Sequence, residues 1–242
     1  MRTLVVLPSY NERDNIVLLV GSILQLQPTA VVCAVDDSSP DGTAGALRAA
    51  IEIHDWGGRV HVIVRDRKEG RGGAVRAGLL WGLGQERSFD AFVEMDCDFS
   101  HEPEALAEGL ARLEQGNDVV IGARYPGGTI IGWPLTRRVF SFLANGLARV
   151  LIDGRVSDYT NGFRFYSPRA VELLLASPQR HTGYIYLSEA LSQLLRAGMR
   201  VDSFAIRFKN RERGASNTSL REVRAALTGI FQIAWQHHFD QP

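Results

Sequence analysis

Five short apolar runs, each separated from the next by a stretch of helical period, limit the folds open to this chain more than any other feature. They are "TLVVLP" (3–8), "AVVCAVDD" (30–37), "RVHVIV" (59–64), "DAFVEMD" (90–96) and "DVVIGA" (118–123). Each run is continuously apolar instead of alternating, as parallel strands covered on both faces require. Between the runs, Ile16, Leu19, Val20 and Ile23 share one helical face, and so do Leu106, Leu110 and Leu113 after Pro103. Such alternation predicts an α/β fold, a doubly wound and mostly parallel sheet with helices on both faces.

After residue 124 the pattern changes. A loop, "RYPGGTIIGWP", leads into an amphipathic helix near 136–151, and a second, "DYTNGFRFYSP", precedes a helix near 168–176. A late strand, "VDSFAIRF" (201–208), is followed by the turn "KNRERGASNTS" and a last helix that opens with a capping box, Ser219 to Glu222. The expected organisation is one domain over 1–218 and a C-terminal amphipathic helix over 219–242.

Composition narrows the function. The 242 residues carry 27 basic and 27 acidic side chains, and a net charge of zero argues against bulk binding of nucleic acid. Two cysteines, Cys33 and Cys97, make neither a disulfide framework nor a C-x-x-C metal site, so a reducing cytoplasm is the expected home. The N-terminus turns polar too soon for a signal peptide, and no run reaches the roughly 18–20 apolar residues of a membrane span. The chain is expected to be soluble or to lie peripherally on a membrane surface.

Open α/β sheets bind ligands beyond the carboxyl ends of their strands. The unusual polar residues stand there: "PSYNE", "DDSSPDGT", "DCDFSH" and "GARYPGG". Any one of these is ordinary turn chemistry; four together are not. Asp96 and Asp98, two apart, project to one face of an extended segment, and their like charges call for a cation. Oxygen-only ligands suit Mg²⁺ or Mn²⁺, with Ser100 able to add an oxygen. Cys97 points to the other face, toward packing, and His101 reads as a helix N-terminal contact. Glu12 and Asp37 suit a base edge or ribose hydroxyls, and Tyr10 offers a ring for stacking.

Basic residues supply the opposite charge. The stretch "RDRKEGRGGA" (65–74) is glycine-rich but fits neither P-loop nor dinucleotide-binding spacing, which sets aside a nicotinamide dehydrogenase. Arg124, Arg137, Arg164 and Arg211 sit beside Gly, Pro or aromatic residues, a placement that suits anion recognition. Together these features indicate a metal-dependent enzyme on a nucleoside-diphosphate substrate, the metal stabilising the diphosphate as it leaves.

The motifs "PSYNERDNI", "VDDSSPDGT", "MDCDFSHEP", "GARYPGGTIIGWPLTRRVFS", "DYTNGFRFY", "TGYIYLSE" and "FKNRERGAS" occur in that order over residues 3–220. As an ordered set they resemble the family-2 glycosyltransferases that make polyprenyl-phosphate mannose, the dolichol-phosphate mannose synthase group. The resemblance implies a GT-A fold, GDP-mannose as donor, a polyprenyl phosphate as acceptor and inversion at the anomeric carbon. Pro8, Tyr10, Glu12, Val35 and Asp37 match its nucleoside-binding positions, and Asp96, Cys97 and Asp98 match its D-x-D motif, with Ser100 beside the metal. Arg124 and Arg211 match donor-phosphate contacts, and Arg137 and Ser141 match residues that hold the acceptor phosphate. Two departures stand out: Asn217 replaces a closing lysine, and Arg71 takes an apolar position in "EGRGGA".

A phosphate acceptor is largely dianionic at neutral pH, so the site should be rich in arginine and metal and need no dedicated base. The two late amphipathic helices either pack on the domain or lie on a membrane, directly or beside a membrane-anchored partner. Alternatives to mannose transfer are a UDP-sugar transferase acting on a lipid or natural-product acceptor, and a non-catalytic nucleotide-binding subunit.

Overall fold

The structure, a computed structural model, describes residues 1–210 and 220–239. The expected capping box at Ser219, together with Arg211 and Asn217, lies outside the described residues. Strands β1 (Thr3–Ser9), β2 (Val31–Asp36), β3 (Val60–Val64), β4 (Ala91–Glu94) and β5 (Val119–Ala123) are the five apolar runs of the sequence. Among the described residues they are joined by β6 (Thr129–Ile131), β7 (Arg164–Tyr166), β8 (Val201–Ala205) and β9 (Arg207–Lys209). Seven of these form one sheet in the order β3-β2-β1-β4-β7-β5-β8, while β6 and β9 pair separately. Within the large sheet β7 runs antiparallel to both β4 and β5, and the other pairings are parallel.

Helices α1 (Arg13–Leu26), α2 (Thr43–Ile53) and α4 (Leu106–Glu114) cover one face. The other carries α3 (Arg71–Leu83), α5 (Leu135–Leu151), α6 (Pro168–Ala176), α7 (Tyr186–Arg196) and α8 (Leu220–Phe239). Successive residues of β1 feed opposite cores: Leu4 and Val6 face α3, and Val5 and Leu7 face α1. The continuous apolar character of β1, β2, β4 and β5 follows directly, because both their faces are covered, whereas β3 at the sheet edge is only half-buried. Phe165 of β7 lies so close beneath α4 that a Cβ at Gly109 would collide with its ring.

Three sequence expectations need correction. The stretch 201–208 is two strands, broken at Ile206, where the chain leaves β5 and turns to pair with β6. The segments "RYPGGTIIGWP" and "DYTNGFRFYSP" each contain a three-residue strand, β6 and β7, too short to show a period. Arg164, expected to bind an anion, is fully buried in β7 and donates to the carbonyls of Asn161, Tyr159 and Leu187 at 2.7–3.0 Å. It holds the backbone, not a ligand.

Candidate active site

The strand order reverses at β1, whose neighbours β2 and β4 lead away on either side. A crevice opens beyond the carboxyl ends at such a switch point. The expected D-x-D residues sit there, although not on a strand. Strand β4 ends at Glu94, where its pairing with β1 and β7 stops, so Asp96 and Asp98 belong to the loop that follows. Phe99 takes φ +57°, and this turn brings the Ser100 N–H and hydroxyl onto Asp98 Oδ1.

Asp96 is positioned from two sides. Its backbone N–H donates to His101 Nδ1 at 3.3 Å, which places the ring proton on Nε2, facing Asn161 Oδ1 at 2.8 Å. Asn161 in turn donates to the Gly122 carbonyl, and Phe163 stacks on the imidazole. Burial holds the His101 pKa below the ordinary imidazole value, so the ring is neutral and can accept from Asp96. His101 is thus a support for the acidic loop instead of a helix N-terminal contact.

From the other side comes Arg71, the first residue of α3. Its Nε donates to Asp96 Oδ1 at 2.8 Å, Nη1 to Tyr186 Oη at 2.6 Å and Nη2 to the Gly162 carbonyl at 3.0 Å. Nη1 also reaches Glu94 Oε1 at 3.3 Å, and the Tyr186 hydroxyl donates to the second Glu94 oxygen. Burial alone would lower the guanidinium pKa, but Asp96, Tyr186 and Glu94 outweigh it and raise it well above the usual value. The counter-charge called for by the paired aspartates is therefore in part the protein's own. The signal was present in the sequence as a cation at an apolar position.

The donor set available to a divalent ion here is oxygen alone. Cys97 turns its sulfur to the Pro8 carbonyl at 3.4 Å, and burial, with Glu12, Asp96 and Asp98 nearby, keeps it a protonated thiol. His101 has both ring nitrogens engaged. Among the described residues no group of three His, Cys, Asp or Glu side chains converges as a metal site. Two carboxylates with a serine oxygen fit Mg²⁺ or Mn²⁺, which take the balance of their ligands from water and substrate phosphate.

The positions expected to bind the nucleoside lie on β1 and β2 and in the loops that follow them. Asp37 is nearly buried and accepts from Arg65 Nη1 at 2.6 Å and from the Gly70 N–H at 2.9 Å, tying the glycine-rich loop to the end of β2. Lys68 lies 3.6 Å over the Tyr10 ring, and Glu12 accepts from Asn15 Nδ2 at 2.8 Å. Val35 contributes no side chain to the crevice; it is fully buried in the core opposite Gly78 of α3. Pro8 is half-buried and offers the carbonyl that Cys97 meets.

Two of the expected arginines, Arg124 and Arg137, meet at Trp133. Arg137 lies 4.0 Å and Arg124 5.4 Å from its ring centroid. Arg124 is clamped by Asp158 through Nε and Nη2, both at 2.8 Å, and its Nη2 also reaches Thr160. Burial works against the Arg124 charge, yet Asp158, Tyr125 and Asp96 raise its pKa, which puts Asp96 within its electrostatic reach. Tyr125 Oη, Trp133 Nε1 and Ser141 Oγ are buried polar atoms with no hydrogen-bond partner among the described residues. A groove of about 360 Å³ is lined by Arg124, Tyr125, Ile130, Arg138, Val139 and Phe142.

The Glycosyl transferase family 2 model matches residues 4–175. The chain belongs to this family. Two relatives extend the match to nearly its full length. The polyprenol monophosphomannose synthase of Mycolicibacterium smegmatis is 40% identical over 99% of this chain and 89% of its own. The undecaprenyl-phosphate mannosyltransferase of Micrococcus luteus is 35% identical over 95% and 93%. Among solved structures, glucosyl-3-phosphoglycerate synthase from Mycobacterium tuberculosis, in complex with Mn²⁺, UDP and glucosyl-3-phosphoglycerate, superposes with a TM-score of 0.69. That match has 21% identity over 97% of this chain and 79% of the other, and it establishes a shared GT-A-like fold. As a family 2 glycosyltransferase, the protein is an enzyme, and its helices include none long and apolar enough to cross a membrane among the described residues.

Proposed function

We propose that this glycosyltransferase transfers mannose from GDP-mannose to a polyprenyl phosphate, with inversion at the anomeric carbon. The observation that carries the reading is the groove on α5. Arg138 shares its lining with the apolar side chains of Ile130, Val139, Phe142 and Leu143, which suits an isoprenoid chain whose phosphate lies at the neighbouring arginines of α5. The two mannosyl relatives, whose names specify polyprenol and undecaprenyl acceptors, support the same class.

The nucleoside would lie along Pro8, Tyr10, Glu12 and Asp37. Asp96 and Asp98, with Ser100 beside them, would hold Mg²⁺ or Mn²⁺, which supplies Lewis-acid stabilisation to a departing diphosphate. Arg124 and Arg211 are assigned to the donor phosphates. Arg124 is held for that task by Asp158, so its charge is fixed in place before substrate arrives. Arg137 and Ser141 are assigned to the acceptor phosphate; the buried Ser141 hydroxyl, which has no hydrogen-bond partner among the described residues, would gain one from an anionic oxygen. No side chain need remove a proton, because the acceptor phosphate has a second pKa of about 6 and is already largely dianionic.

The outer face of α5 supports peripheral attachment to a membrane. Leu135, Val139, Phe142, Leu143 and Val150 are exposed at helical spacing. On α8, Phe231, Trp235 and Phe239 are exposed in the same manner. His238 bonds the Leu151 carbonyl at 2.9 Å, which sets that stripe beside the end of α5.

The test is transfer by the purified chain. With GDP-[¹⁴C]mannose, a short polyprenyl phosphate and Mn²⁺, label should enter a lipid product. Labelled lipid from UDP-glucose alone would reassign the donor, and no label from either would remove the assignment.

A further inference from the structure

Arg71 takes no part in the transfer proposed above, yet it is one of the most heavily engaged residues in the crevice. Its side chain is 9% exposed and makes four contacts of 2.6–3.3 Å, to Asp96, Glu94, Tyr186 and the Gly162 carbonyl. The position is built to admit it. Gly162 lies so close to the guanidinium that a Cβ there would collide with it. Glu94, beneath the acidic loop, is fully buried, and both its oxygens are met by this pair of residues, Arg71 and Tyr186.

A fixed positive charge on one oxygen of Asp96 has two effects on any cation that approaches the same carboxylate. It orients the carboxylate, and it opposes the second charge by direct Coulomb repulsion in a partly desolvated setting. An acidic pair so compensated binds a divalent ion weakly by itself. A diphosphate that brings its own negative oxygens restores the balance. We propose that Arg71 is a positioning residue that makes metal binding conditional on the nucleotide, by holding Asp96 while lowering the affinity of the empty acidic pair for Mg²⁺ or Mn²⁺. This rests on the metal assignment made above.

The experiment is an electron paramagnetic resonance titration of Mn²⁺ into the full chain, with and without saturating GDP. Wild type should bind Mn²⁺ at least tenfold more tightly with GDP than without. Arg71→Met should bind Mn²⁺ alone at least tenfold more tightly than wild type, and its gain from GDP should shrink. Arg71→Lys, which keeps the charge, should stay near wild type. Removing Arg71 leaves a buried carboxylate without its cation, so the double variant Arg71→Met, Glu94→Gln provides a folded equivalent and should behave like Arg71→Met. Equal affinity for Mn²⁺ alone in wild type and in a folded Arg71 variant overturns the proposal and leaves the metal assignment standing. Absence of Mn²⁺ binding in every form, with GDP or UDP, overturns the assignment itself.

Discussion

Arg124 and Arg137 approach the same tryptophan but are held differently, and this separates the outcomes expected on replacing them. Arg137 stacks on Trp133 and donates to Asn210 Oδ1 at 3.5 Å. Replacing it by alanine should lower turnover about 10²-fold, the scale of a lost transition-state cation contact, while affinity for GDP stays near that of wild type. Steady-state kinetics at saturating donor, with GDP titration calorimetry, checks the division. Arg124 is different, because its partner Asp158 is fully buried. Asp158→Asn leaves a buried guanidinium without its carboxylate and should cost about 3–5 kcal/mol in urea unfolding. Burial alone would raise the Asp158 pKa, but Arg124 and the surrounding hydrogen bonds hold it below its ordinary 3.8. Its contribution is therefore fully present above about pH 4 and is lost as pH falls through the lower, folded-state value. The advantage of wild type over Asp158→Asn should be constant from neutral pH down to about pH 4 and shrink below it. Of these residues the sequence marked the arginines beside glycine and aromatics, but not which of them are buried in the core. Arg164 had the same kind of neighbours and proved to be bound to three carbonyls. Neighbours in sequence report loop chemistry, whereas burial is decided by strands that arrive from elsewhere. His101 was hidden for the same reason: its partner Asn161 lies 60 positions away.

At the scale of elements, α5 was legible almost to the residue, because a helix with one buried and one exposed stripe carries a strong period. What the period cannot specify is why the outer stripe is apolar too. Phe142, 61% exposed, and Trp235, 64% exposed, are the largest side chains on these two faces. Because they contribute little to the core, Phe142→Ser with Trp235→Ser should leave the thermal midpoint within a few degrees of wild type. On the reading of peripheral attachment, the same pair should sharply reduce co-flotation with anionic liposomes. Unchanged flotation of the folded variant would exclude these faces as the contact. The short strands β6 and β7 were illegible for the opposite reason. Three residues hold too few side chains to express a period, and both were assigned to loops that their Gly and Pro neighbours suggested. Gly109→Ala tests how tightly β7 is roofed: the new methyl meets the Phe165 ring and should cost about 1–3 kcal/mol.

For the molecule as a whole, the crevice at the reversal of strand order gathers residues from loops after β1, β2, β4 and β5. Ligands bound there bridge those loops and should stabilise the fold by mass action. On the proposed function, GDP with Mn²⁺ at 100 times its dissociation constant should add about 2.7 kcal/mol, read as a raised thermal midpoint, while UDP with Mn²⁺ adds much less. Equal stabilisation by the two nucleotides would remove the base preference. The parallel half of this design was legible because its strands are long, apolar and regularly spaced; the joining of the second half was not. Strands β5 and β8 reach the rest of the sheet only through β7, a strand that follows β5 in the chain by 40 residues. During synthesis, therefore, β4 and β5 emerge with bare edges that cannot pair with each other in the native arrangement. Each must wait for residues 164–166. A nascent chain that stalls before this wedge is made carries two unprotected sheet margins, the condition under which polypeptides pair with the wrong neighbour.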